Sequence, residues 1–134
     1  MKKIEHIGIA VKDLSAANKI YSKLLNTSPY KTEEVDSENV NTSFFQVGES
    51  KIELLEGTSP DSPISKFIDK RGEGVHHIAF EVEDIHQEID RLTKEGFQMI
   101  HEKPKDGADN KLIAFLHPKS SNGVLIELCQ EKGI

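Results

Sequence analysis

The chain has 134 residues, of which 36% are hydrophobic, 30% charged and 6% aromatic. This length predicts one compact domain, and its apolar runs, such as Ile7 to Val11, are too short to span a bilayer. With 17 basic and 23 acidic residues, the formal charge of −6 disfavours a general nucleic-acid binder. A single cysteine and an N-terminus that runs directly into patterned sequence favour a cytoplasmic protein without a signal peptide.

The sequence contains an internal repeat. The segment EHIGIAVKDL around His6 recurs as HHIAFEVEDI around His77, at an offset of 71 residues (77 − 6). A second match relates the residues around Glu53 to those around Glu127, at an offset of 74 (127 − 53). Two matches in the same order predict two similar modules within a single domain, roughly 1–57 and 73–134, joined by a linker helix at roughly 63–71.

The first module reads as a strand, a helix and further strands. Residues 4–11 are rich in β-branched side chains, and Asp13 can cap the helix that follows. Further strands are predicted over 42–47 and 51–55. Helical spacing is shown by the apolar residues Leu14, Ala17, Ile20, Tyr21, Leu24 and Leu25.

The second module repeats this order. Asp84 caps a helix that ends near Gly96, and its predicted buried stripe is Ile85, Ile89 and Leu92. Strands follow over 112–116 and 124–129, and residues 102–111 predict a mobile polar loop. Pro63, preceded by a capping serine, begins the linker helix. Together these elements predict an α+β fold of two βαβββ modules with mixed sheets.

His6, Glu53, His77 and Glu127 are the candidate metal ligands. Both carboxylates lie within apolar strand sequence, where an unpaired charge is costly to bury. If the two halves are related by a pseudo-twofold axis, all four side chains converge. Two imidazoles and two carboxylates suit Zn, Co, Ni, Mn or Fe(II), and octahedral coordination leaves two positions for a chelating substrate.

Other interpretations stay open at this point. A single strand histidine is more often a hydrogen-bonded structural residue, and either glutamate could face solvent at a strand edge. Cys129 is expected to pack in the core, because no neighbour marks it as a nucleophile. His76 is expected to face away from His77, His86 to be exposed, and His117 to contact substrate or form a turn. No partner for His101 is visible in the sequence. P-loop, dinucleotide-binding, serine-hydrolase and CxxC motifs are absent from the sequence.

Several segments carry a family likeness. They are residues 5–11, 51–55, 62–64, 74–79, 115–119 and 123–128. On these segments the chain resembles the vicinal oxygen chelate superfamily of glyoxalase-like proteins and, within it, the methylmalonyl-CoA epimerase family along nearly its whole length.

The resemblance implies paired βαβββ modules whose curved sheets surround one metal, with His6, Glu53, His77 and Glu127 as ligands. It implies a cobalt-dependent homodimer, with Zn, Ni or Mn as possible replacements. The implied reaction interconverts the two epimers of methylmalonyl-CoA by α-proton abstraction through a metal-stabilised enolate. Some relatives have Gln where this chain has Glu53.

The catalytic bases are less well defined. A strand carboxylate is a suggested base in a relative, but the matching strand here carries Thr42 and Ser43. We expect Glu127 to act as both ligand and base, and the base on the opposite face is unassigned. An acyl-CoA substrate also needs a local basic surface. The candidates are Lys66, Lys70, Arg71, Lys103, Lys105, Lys111 and Lys119.

Three rival functions share these sequence features. A glyoxalase I-type lactoylglutathione lyase uses the same ligand set on a thiol hemithioacetal. A related oxygenase uses two histidines and one carboxylate, so the second carboxylate here counts against it. A small-molecule-binding or resistance protein of the same fold needs no metal. The sequence favours an enzyme with a small-molecule partner and no nucleic-acid or membrane partner.

Overall fold

The computed structural model describes residues 1–133, which form two compact units. One unit is His6–His76, and the other combines Met1–Glu5 with the chain from His77 onward. Within residues 1–133, no helix is both long and apolar enough to cross a membrane.

The unit His6–His76 is built on a mixed sheet. Its strands are β1 (Lys3–Ala10, which begins before the unit), β2 (Lys31–Val35), β3 (Val40–Val47) and β4 (Ser50–Gly57), in the order β1-β4-β3-β2. Only the β1–β4 pair is parallel. Helix α1 (Leu14–Leu25) connects β1 to β2, and helix α2 (Pro63–Arg71) follows β4. A 3₁₀ turn at Asp36–Glu38 precedes β3.

The second unit repeats this topology. Its strands are β5 (Gly74–Glu81, which begins before His77), β6 (Lys105–Gly107), β7 (Lys111–Leu116) and β8 (Ile126–Glu131), in the order β5-β8-β7-β6. Again only the β5–β8 pair is parallel. Helix α3 (Ile85–Lys94) follows β5, and a 3₁₀ turn at Pro118–Ser121 precedes β8. The predicted α+β fold of two βαβββ modules is confirmed.

Each module helix begins in the same way. Asp13 and Asp84 accept a hydrogen bond from the third residue of the helix, as an N-cap should. The first residue of each helix donates its N–H to a side chain of the parallel partner strand. Leu14 N–H donates to Glu56 Oε2, and Ile85 N–H donates to Gln130 Oε1. Glu56 and Gln130 are 74 positions apart, the offset that relates Glu53 to Glu127. The glutamate-bearing strand therefore also fixes the start of the helix.

Each helix packs on one face of its sheet. Helix α1 packs on Phe45 and Leu54, whereas α2 packs through Ile64 on Ala10 and Leu55 of the other face. In the second unit, α3 buries its stripe against a single cluster, and the predicted residues are confirmed. That cluster comprises Val82, Ile85, Ile89, Leu92, Ala114, Leu116 and Leu128. Helix α1 buries a narrower face than its apolar content indicates, since Ile20 and Leu24 are exposed.

Two short strands were missed by the sequence interpretation. Strand β2 has the sequence KTEEV, and β6 lies inside residues 102–111, which had been predicted as a loop. Both are edge strands that carry charged residues and pair only with β3 or β7. Charged edge strands lack the apolar alternation that identifies a strand from sequence, and charges at an edge discourage intermolecular pairing.

Candidate functional site

Each unit contains one buried histidine–glutamate pair. In the first, His6 Nδ1 lies 3.0 Å from Glu53 Oε2. In the second, His77 Nε2 lies 3.0 Å from Glu127 Oε1. All four residues are only 4–5% exposed. The structure thus joins the four predicted ligands as two matched pairs, and it rules out the alternative of solvent-facing glutamates.

Strand register explains how each pair forms. Gly8 is the register partner of Glu53 in the parallel β1–β4 pair, and Ala79 is the register partner of Glu127 in β5–β8. Side chains two residues apart lie on the same face of a strand. His6 therefore lies on the same face as Gly8, and His77 on the same face as Ala79, as the nearest neighbour on that face. Because Gly8 and Ala79 project little or nothing, the imidazole can reach the carboxylate across them. The sequences His-x-Gly in β1 and His-x-Ala in β5 therefore indicate that the histidine can contact the glutamate of the neighbouring strand.

A phenylalanine borders each carboxylate on its other side. Phe44 is the cross-strand partner of Glu53, and Phe115 is the cross-strand partner of Glu127. Phe44 is fully buried, and Phe115 packs its ring against the His77 ring. An apolar neighbour excludes water from a carboxylate, so its charge must be balanced by the adjacent imidazole or by a cation.

The two pairs lie on the sheet faces opposite α1 and α3. Leu54, next to Glu53, packs with α1, and Leu128, next to Glu127, packs with α3. The alternation of strand faces therefore directs both glutamates away from these helices. Thr42 shares the Glu53 face, because its register partner is Leu55, and it is buried. Strand β3 has the sequence VNTSFFQV, so it carries no carboxylate that could serve as a base beside Glu53.

The remaining histidines differ in their surroundings. The ring of His76 lies edge-on to Phe67 of α2 at 5.0 Å, and His86 is exposed, as predicted. His117 caps the Pro118–Ser121 turn by accepting from Lys119 N–H, which supports the turn interpretation. The sequence shows no partner for His101, and the structure supplies one, because His101 accepts a hydrogen bond from Phe115 N–H. The contact is not evident from the sequence, because His101 lies 14 residues before Phe115, in the segment between α3 and β6.

Two other sequence candidates have defined surroundings. Cys129 is fully buried in a cluster with Ala79 and Ile113, in agreement with the predicted packing role. Lys111 is buried and its Nζ lies 3.0 Å from Glu131 Oε1, so it is unsuited to a surface contact with CoA. Among the candidate basic residues, Lys66, Lys70, Arg71, Lys103 and Lys119 are exposed.

Comparison with known proteins identifies the family. Residues 5–115 match the model of the Glyoxalase/Bleomycin resistance protein/Dioxygenase superfamily. The chain belongs to this superfamily. Within the superfamily it is 41% identical over 133 residues to the uncharacterized protein YqjC of Bacillus subtilis, covering 99% of this chain and 95% of the relative.

Several of the similar proteins are named as epimerases. The ethylmalonyl-CoA/methylmalonyl-CoA epimerase of Cereibacter sphaeroides is 39% identical over 130 residues, covering 96% of this chain and 97% of the relative. A variant of Streptomyces coelicolor methylmalonyl-CoA epimerase, solved in complex with 2-nitronate-propionyl-CoA, matches with a TM-score of 0.95. That match has 34% identity and covers 100% of this chain and 97% of the other.

Proposed function

We propose that this chain is a metal-dependent epimerase that interconverts the two epimers of methylmalonyl-CoA. The observation that carries the proposal is the presence of the same buried histidine–glutamate pair, at the same strand register, in both units. Relatives named as epimerases, similar over almost the whole chain, give the substrate class.

We further propose that His6, Glu53, His77 and Glu127 are the ligands of one divalent ion. Adjacent ligands of an octahedral ion lie about 3.0 Å apart when each bond is about 2.1 Å, and both pairs have an N–O distance of 3.0 Å. Imidazole and carboxylate donors suit a borderline metal, with cobalt favoured and Zn, Ni or Mn as alternatives. The donor set therefore fits the metal that the superfamily implies.

A bound divalent ion would supply Lewis acidity, which stabilises negative charge that develops beside a thioester carbonyl. The chain's own residues handle the proton. We assign proton transfer to the Glu127 carboxylate, whose Oε1 lies 3.0 Å from His77 Nε2. The Phe115 ring packs edge-to-face against the His77 imidazole of this pair.

The acyl-CoA partner requires positive charge at the protein surface, because the chain itself carries a net charge of −6. The exposed basic residues of α2 and of the late loops remain the candidates for contacts with CoA phosphates. The proposal includes a cytoplasmic homodimer. Sedimentation equilibrium distinguishes that dimer from a monomer of 15.0 kDa.

Deuterium exchange tests the proposed reaction. Purified protein is incubated with methylmalonyl-CoA in D₂O, and label at the α-carbon is followed with added Co(II) and with EDTA. We expect metal-dependent incorporation that EDTA abolishes, because proton removal beside a thioester needs an electrophile.

Two results would contradict this proposal. Incorporation that persists in EDTA would show that no metal acts as the electrophile. Turnover of methylglyoxal with glutathione, without exchange into methylmalonyl-CoA, would instead identify a lactoylglutathione lyase.

A further inference from the structure

We infer that His101 is a positioning residue that orients the His77 imidazole through Phe115. The inference rests on the proposed function only in treating His77 as a metal ligand. His101 lies between α3 and β6, outside both strands that carry the second histidine–glutamate pair.

Both backbone polar groups of Phe115 form hydrogen bonds to this segment. Phe115 N–H donates to His101 Nδ1 at 3.2 Å, and Ile100 N–H donates to the Phe115 carbonyl at 2.8 Å. A hydrogen-bond acceptor on the imidazole thus replaces the strand partner that the Phe115 amide would otherwise need. The position of Phe115 depends on a side chain as well as on the sheet.

Ring contacts continue this connection to the metal-ligand candidate. The His101 ring packs tilted against Phe115, with centroids 5.8 Å apart. The Phe115 ring in turn meets His77 edge-to-face, at 5.7 Å and an interplanar angle of 84°. Edge-to-face packing is a favoured arrangement with a defined orientation, so a shift of Phe115 turns the His77 ring.

The first unit shows which part of this arrangement is specific to His101. Tyr30 stands 71 positions before His101, which is the repeat offset. Its ring lies 5.8 Å from Phe44, and its own N–H donates to the Phe44 carbonyl. Tyrosine has no ring nitrogen that can accept an amide proton. Aromatic packing is therefore common to both units, and the side-chain acceptor distinguishes the second.

The test separates the acceptor from the ring. In His101→Phe the ring is kept and the acceptor is lost, whereas in His101→Asn the side-chain oxygen can replace Nδ1. Phe115→Leu removes the connecting ring, and His86→Asn is a matched control on an exposed histidine. For each full-length variant we would record the NMR signals of the Phe115 amide and the His77 Cε1–H in metal-free protein. The dissociation constant for Zn(II) would be measured by competition.

We expect His101→Phe and Phe115→Leu to move the His77 signal and to weaken Zn(II) binding about 10-fold, the lower end of the effect of outer-sphere partners. His101→Asn and His86→Asn should remain close to the unsubstituted protein. An unchanged His77 signal in His101→Phe would overturn the inference, as would a His101→Asn variant that behaves like His101→Phe. The NMR result needs neither metal nor substrate, so it stands apart from the outcome of the exchange assay.

Discussion

Replacing His6 or His77 by Ala is expected to lower the rate of deuterium exchange into methylmalonyl-CoA by on the order of 10³-fold. Each substitution removes an imidazole donor and leaves its glutamate partner buried without the charge-balancing contact at 3.0 Å. Because the two histidines belong to different units, an equal loss from both would show that both pairs serve one reaction. The rate of α-carbon labelling with added Co(II) gives the measurement.

His86→Ala is the control for these variants, since it removes an exposed histidine of α3. Circular dichroism of each variant checks that the fold is retained. If His6→Ala exchanged label as fast as the unsubstituted protein while His77→Ala did not, the first unit would have no part in the site.

The two glutamates should differ when each is replaced by Gln. Glutamine keeps a carbonyl oxygen that can bind a metal, but it cannot accept a proton at neutral pH. We expect Glu53→Gln to keep exchange within about 10-fold, because it removes only charge from a ligand that some relatives replace with Gln. We expect Glu127→Gln to lower exchange by about 10² to 10⁴-fold, the contribution of a general base.

Measuring the metal content of both variants together with the exchange rate separates loss of proton transfer from loss of metal. Both variants should retain most of the bound metal, so the difference in rate should come from proton transfer. An equal loss of rate in the two variants, at equal metal content, would remove Glu127 from the role of base.

The repeat made much of the fold predictable. The strand predicted over 4–11 is observed as Lys3–Ala10, and its pattern recurs around His77 in β5. Asp13 and Asp84 cap their helices by a local hydrogen bond. The pairing of His6 with Glu53 was also within reach, because strand alternation and a small neighbouring residue decide it. These are properties of short segments and of their register.

Contacts between distant segments were less predictable. His101 and Phe115 are 14 positions apart and meet only because the segment after α3 lies beside β7. Lys111 reads as a surface charge, yet it is buried, with its Nζ 3.0 Å from Glu131 Oε1 on the neighbouring strand. Edge strands β2 and β6 are charged, and pairing with a neighbouring strand defines them more than their own composition does.

The amount of metal bound per chain tests the central claim most directly. Protein loaded with Co(II), freed of excess ion and analysed by elemental analysis should hold one ion per chain. Both His6→Ala and His77→Ala should lose it, because the account assigns both pairs to one ion. Two ions per chain, with each substitution removing only one of them, would contradict the account and show that the pairs bind metal separately.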